Sequence, residues 1–154
     1  MESTTKVRKE LIDNYGRIVG GLCTPEEFAD IVIEDIVANG MQSVNLDYHD
    51  VTSSLRNASA ADAVRVSGSK AEIRQLLEKA MEMLCAAHPH MEIGTMLVNL
   101  QAPTGDLMTD DVSVFGEFFG QFGDININWG MTNRGNPGDA IQITAVVGFK
   151  QPCL

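Results

Sequence analysis

Cysteine is scarce in this chain. Cys23, Cys85 and Cys153 are odd in number and widely spaced, and no C-x-x-C pair occurs, so there is no disulfide framework to read. Reduced thiols in a cytoplasmic protein are the expectation. Cys153 stands second from the end, so Q-P-C-L is not a prenylation box. Basic residues are also few, 11 Lys and Arg against 21 Asp and Glu, a formal charge of −10. An acidic surface repels phosphate backbones and anionic lipid, which argues against nucleic acid and membrane as partners. No apolar run approaches the ~18 residues of a membrane span. The start M-E-S-T-T-K-V-R-K-E has no apolar core or cleavage site, so no secretory signal is expected. Repeats, low-complexity tracts and linkers are missing too. What remains is an ordinary globular composition, 44% apolar and 21% charged over 154 residues, which excludes a disordered chain and suits one domain.

Local signals divide that domain. In residues 1–23, Val7, Leu11, Ile12 and Tyr15 recur at helical spacing before Gly16, Gly20 and Gly21, predicting a helix over about 4–19. Thr24-Pro25-Glu26-Glu27 is a helix start: Thr24 caps, Pro25 suits the first turn, and Glu27 completes a capping box. The helix it opens, 25–38, has Phe28, Ile31, Val32, Ile36 and Val37 on one face and Glu26, Asp30 and Glu34 opposite, and ends at Asn39-Gly40. Ser69-Lys70-Ala71-Glu72 is a second capping box. Ile73, Leu76, Leu77, Ala80, Met81 and Leu84 follow at amphipathic spacing, predicting a helix over 70–87 with Cys85 in a buried-type pattern. Thr109-Asp110-Asp111 opens a third helix, 109–122, whose acids favour the helix dipole and whose face is Val112, Phe115, Phe118, Phe119 and Phe122.

Strands fill the gaps. Residues 63–67 alternate, 94–100 are almost continuously apolar, as a central strand would be, and 125–129 alternate strictly. Ile141, Ile143, Ala145, Val147 and Phe149 alternate with Gln142 and Thr144. The cluster N-R-G-N-P-G-D between the last two strands predicts a hairpin. One-sided alternation predicts a single helix-covered face. The expectation is an α/β two-layer sandwich, an α+β arrangement with a mixed sheet of about four strands and the helices 70–87 and 109–122 on one face. Leu77, Leu97, Val98, Phe115, Trp129, Ile143 and Ala145 are its predicted core.

Two stretches carry chemistry. His88 and His90 flank Pro89 with Glu92 nearby, which reads either as metal ligands or as a polar loop after a helix. In G-M-Q-S-V-N-L-D-Y-H-D-V, Asn45, Asp47 and Asp50 place three oxygen-bearing side chains within six residues. Two carboxylates on one loop can hold a water or a cation. On spacing alone the simpler role is local: Asp47 as N-cap of a short helix over 51–58, with Asp50 three residues on. No nucleophile–base pair stands out, Cys85 and His88 being the close couple in sequence.

The wider pattern resembles a known family. A capped helix followed by G-M-Q-S-V-N-L-D-Y-H-D-V-T-S-S-L is similar to the synergy loop of FtsZ, the bacterial tubulin homologue, with Tyr48 where that family has Phe. Leu97–Asn99 resembles its central strand L-V-N-I. Asp106–Val112, Asn126–Met131 and Gly138–Phe149 resemble its D-L-T-L-x-E-V, N-I-I-W-G-A and G-D-E-I-R-V-T-V-I-A-T-G-F segments, in the same order. The family's G-G-G-T-G-(T/S)-G phosphate loop has no counterpart here; Gly20-Gly21 is only a pair, and a cradle needs several successive N–H groups.

The resemblance implies the C-terminal, activation domain of an FtsZ-like protein without its GTP-binding domain. It would comprise a helical segment 1–23, the domain 24–150 and a short tail 151–154. Asn45, Asp47 and Asp50 would act in trans on the GTP of a neighbouring subunit, helping to position water, with no cofactor bound by this chain alone and no metal. That suggests a cytoskeletal or cell-division accessory whose partner is an FtsZ/tubulin-like protein. Two alternatives stand beside it. One is a self-associating module, because Met1, Val7, Leu11 and Ile12 would need cover from the N-terminal helix or a second copy. The other is a small-molecule-binding domain on the same fold.

Overall fold

The computed structural model describes residues 4–37, 42–44, 46, 48–102, 109–122, 125–133 and 140–151. Helix α1 (Thr4–Tyr15) stops earlier than its apolar spacing suggested, with Gly16 closing its last turn onto the Ile12 carbonyl. Helix α2 (Pro25–Val32) carries the capping box read from its sequence: Thr24 Oγ1 accepts from the Glu27 amide, and Glu27 Oε1 accepts from the Thr24 amide. It continues not as α-helix but as a π-helical turn, Ile33–Val37. After β1 (Gln42–Val44) come α3 (Tyr48–Leu55) and β2 (Ala60–Ser69). The second capping box also forms, but residues 70–72 wind as a tighter 3-10 turn before α4 (Ile73–Ala87). Then follow β3 (Glu92–Ala102), α5 (Thr109–Gly120), β4 (Asn126–Asn133) and β5 (Ala140–Lys150). The stops proposed at Asn39-Gly40 and Gly123 lie outside the described residues.

The strands form one mixed sheet in the order β1-β4-β3-β5-β2, in which β3 and β4 are parallel and the other pairs antiparallel. Its four long strands and the α4–α5 layer over one face are the expected architecture. That face buries Val64, Leu77, Met96, Val98, Phe115 and Ile143. Trp129 is half-buried at its margin, stacked on Phe115 with ring centroids 5.5 Å apart. The structure adds two things. A short fifth strand, β1, extends the sheet at β4. The second face is covered as well, by α1, α2 and α3, where Leu11, Phe28, Val32 and Val51 pack on Ala61, Ala63, Leu97 and Val146.

The proposed hairpin is corrected. β4 and β5 are not neighbours, because β3 lies between them and pairs with both. Turn chemistry encodes a reversal of direction but not adjacency, and the apolar β3 takes the position buried from both sides. The connecting residues 134–139 lie outside the described set. The cover sought for Val7 and Leu11 is found within the chain: both are buried against α2 and the helices beside it. Ile12 packs there partly buried, and Met1 is outside the described residues. Among the described residues Leu22 is the sole large apolar side chain left exposed.

Candidate functional site: the segment between the π-helical turn and α3

The candidate loop is attached to the fold at four described places. Upstream stands the π-helical turn. Gln42 and Val44 of β1 then pair with Thr132 and Met131 of β4, with an irregularity between them. Leu46 is buried in the second-face core. Tyr48 opens α3, and its hydroxyl donates to Glu10 Oε2 of α1 at 3.0 Å. A Phe at this position could not make that bond. Asp50 lies half-buried in the first turn of α3, where a carboxylate favours the helix dipole. Asn45 and Asp47 lie outside the described residues, and with them both readings of Asp47, as an N-cap and as a loop carboxylate. The short helix expected over 51–58 forms earlier, because Val51 and Leu55 must face the sheet and Tyr48 reaches α1.

Under the π-helical turn lies a group of residues that sequence reading missed. Asp35, in the π-helical turn, is 1% exposed. Its carboxylate accepts from Arg65 Nε at 2.7 Å, Thr144 Oγ1 at 2.7 Å, Gln101 Nε2 at 3.1 Å and Gln142 Nε2 at 3.5 Å. Its backbone carbonyl accepts from Asn99 Nδ2 at 3.0 Å. The donors therefore come from β2, β3 and β5. Arg65 also reaches Glu34 at 3.2 Å, and the hydrogen bond to Asp35 is the main reason its guanidinium pKa is raised. Gln142 and Thr144 had suggested a solvent face. The alternation was correct, but the polar face is the one covered by the π-helical turn. A run of Asn99, Gln101, Gln142 and Thr144 at sheet spacing opposite a helix-borne Asp was the available signal.

A second buried carboxylate fastens the segment before α2. Asp62, wholly buried, accepts from the amides of Leu22, Cys23 and Ala63 and from the Cys23 thiol. His88 Nε2 lies 2.9 Å from its Oδ2, with the imidazole stacked on Phe149. Gly21 has φ +107°, and a Cβ there would sit 2.6 Å from Asp62 Oδ2 and 2.7 Å from His88 Nε2, so only glycine fits. His88 is thus turned to Asp62, while His90 is exposed in the following turn. Burial, helped by the Asp62 carboxylate, pushes the Cys23 thiol up to about 12, so it is no nucleophile. Cys85, expected on the buried side, is exposed: one residue beyond Leu84 turns the helix ~100° away from the sheet.

A cleft of about 190 Å³ opens between α3, β3 and β5, lined among others by Ser54, Gly94, Thr95 and Gly148. Ligand sites usually run to ~300–1,000 Å³, so this volume does not favour the small-molecule reading. The Ser54 hydroxyl is sealed and makes no hydrogen bond among the described residues, so it does not serve the cleft. No described helix is long and apolar enough to cross a membrane.

No protein-family model matches the sequence, and no curated protein is similar to it. Solved structures are. A point mutant of FtsZ from M. jannaschii superposes with a TM-score of 0.59 at 14% identity, over 83% of this chain and 43% of that one. An empty FtsZ dimer from M. jannaschii gives 0.54 at 16% identity, over 84% and 42%. TubZ of Bacillus thuringiensis serovar israelensis, as GDP-form protofilaments, gives 0.61 at 11% identity, over 96% and 43%. The chain thus spans well under half the length of the proteins it matches. At these identities the likeness concerns architecture, and the described chain has the FtsZ/tubulin C-terminal domain fold.

Proposed function

We propose that this protein is a cytoskeletal accessory that docks the segment Asn45–Asp50 on the nucleotide face of an FtsZ- or TubZ-like subunit. There it caps the filament or modulates GTP hydrolysis in trans. The observation that carries the reading is the conjunction of that fold with the Asn45, Asp47, Asp50 triplet, which in sequence follows β1 and ends in the first turn of α3. The matched structures include an FtsZ dimer and TubZ protofilaments, architectures in which one subunit meets the next. In phosphoryl transfer, catalysis comes from placing water and charge, so a carboxylate-bearing loop can act without covalent chemistry. Two carboxylates repel bare phosphate, however. Docking therefore needs a nucleotide-loaded partner whose cation or backbone donors offset that charge, and the chain alone binds no GTP.

The test is a titration of an FtsZ-like partner's GTP turnover with the wild-type chain and with the double variant Asp47→Ala, Asp50→Ala. The wild type changes the rate and the variant does not. Equal effects of the two, or none from either, would end this reading and leave the self-associating module, which gel filtration measures directly.

A further inference from the structure

The polar contacts of Asp35 fall into two neighbouring rows across the sheet. Arg65, Thr144 and Asn99 are aligned partners on β2, β5 and β3. Two residues along the strands, Ser67, Gln142, Gln101, Thr132 and Gln42 are aligned across all five strands. The carboxylate of Asp35 grips both rows, through Arg65 and Thr144 in one and Gln142 and Gln101 in the other. Gln42, where β1 begins, stands in the second row. The chain therefore leaves the π-helical turn from one set of rows and rejoins the sheet in the same set.

A π-helical turn is rare and inserts an extra residue relative to an α-helix. Here it coincides with the residue whose carboxylate is turned down onto the sheet. A buried carboxylate must keep its donors, so the turn cannot slide along the sheet without stranding it. We propose that Asp35 is the positioning residue of the docking segment: its bonds to Arg65, Gln101, Gln142 and Thr144 set where the chain enters β1 and hence how α3 presents Asp50. Its functional meaning rests on the docking reading above, but the attachment is measurable without a partner.

The experiment is hydrogen exchange on the whole chain, comparing wild type with Asp35→Asn and with Thr144→Val. The second variant keeps the volume while removing one 2.7 Å bond to Asp35, and it decides the matter if the first does not fold. Exchange over residues 42–55 rises about tenfold beyond any rise in α4 on the other face, the effect of losing one hydrogen bond of ordinary strength. An equal rise in α4, which marks a merely structural role, overturns the proposal, as does no change over 42–55. In the partner titration the variants lower the maximal effect without moving the half-maximal concentration. Wild-type activity with fully active variants also overturns it. An inactive wild type refutes the docking reading alone and leaves exchange to decide.

Discussion

Removing the Arg65 side chain tests the energetics of the buried network most directly. Asp35 is 1% exposed, and Arg65 is a cationic donor to its carboxylate, through Nε at 2.7 Å. A charge-assisted hydrogen bond contributes about 1.5–3 kcal/mol, and stranding a buried charge costs about 3–5 kcal/mol. Two features reduce the upper figure. Thr144, Gln101 and Gln142 still donate to the carboxylate. The guanidinium is itself 34% exposed, so solvent screens part of the pair. The second contact, to Glu34, whose side chain is 55% exposed, adds at most about 1 kcal/mol. Arg65→Ala is therefore expected to cost about 2–3 kcal/mol. Asp35→Ala takes a charged acceptor from the buried Gln101 and Thr144 and leaves a void, for about 3–5 kcal/mol. Because both single changes break one bond, the double variant costs less than their sum by about 1–3 kcal/mol. Urea unfolding, read at constant m-value, measures all three. A loss under about 0.5 kcal/mol for Arg65→Ala, or strict additivity, refutes the argument.

Other consequences follow from local chemistry. The Cys23 thiol ordinarily titrates at 9.0 but is held neutral to about 12 in the fold. Between those values the native chain binds the extra proton, so stability falls as pH rises through that window. Cys23→Ala flattens this part of the pH dependence in denaturant titrations; an unchanged slope contradicts the assignment. In alkylation mapped by mass spectrometry, Cys85 reacts in the native protein and Cys23 only on unfolding. Gly148→Ala would place its Cβ 2.8 Å from Thr95 Oγ1 and 3.2 Å from Ala58 and Leu55, forcing α3 off the sheet. Thermal unfolding is expected to show a loss of about 1–3 kcal/mol, and a neutral result means that α3 moves freely on β5.

The signals legible along the chain are local. Thr24 with Glu27 and Ser69 with Glu72 mark helix starts because a cap is a bond between residues three apart. The apolar face of α4 follows from helical spacing, and β3 declares itself central because it is apolar on both sides. The N-L-D-Y-H-D-V pattern could be recognised, and so could the fold it belongs to. Tertiary structure decided what covers each face. Alternation in β5 placed Gln142 and Thr144 opposite Ile141 and Ile143, but one strand's period cannot say whether water or a helix lies beyond. Asp35 supplied that answer from more than 60 positions away from Gln101 and more than 100 away from Thr144. Likewise the turn residues after β4 encode a reversal, and only the competition for neighbours placed β3 between β4 and β5. Capping and periodicity are short-range and survive in a one-dimensional reading; burial of a carboxylate, strand order and the cover over α1 depend on partners that meet only when the whole chain packs.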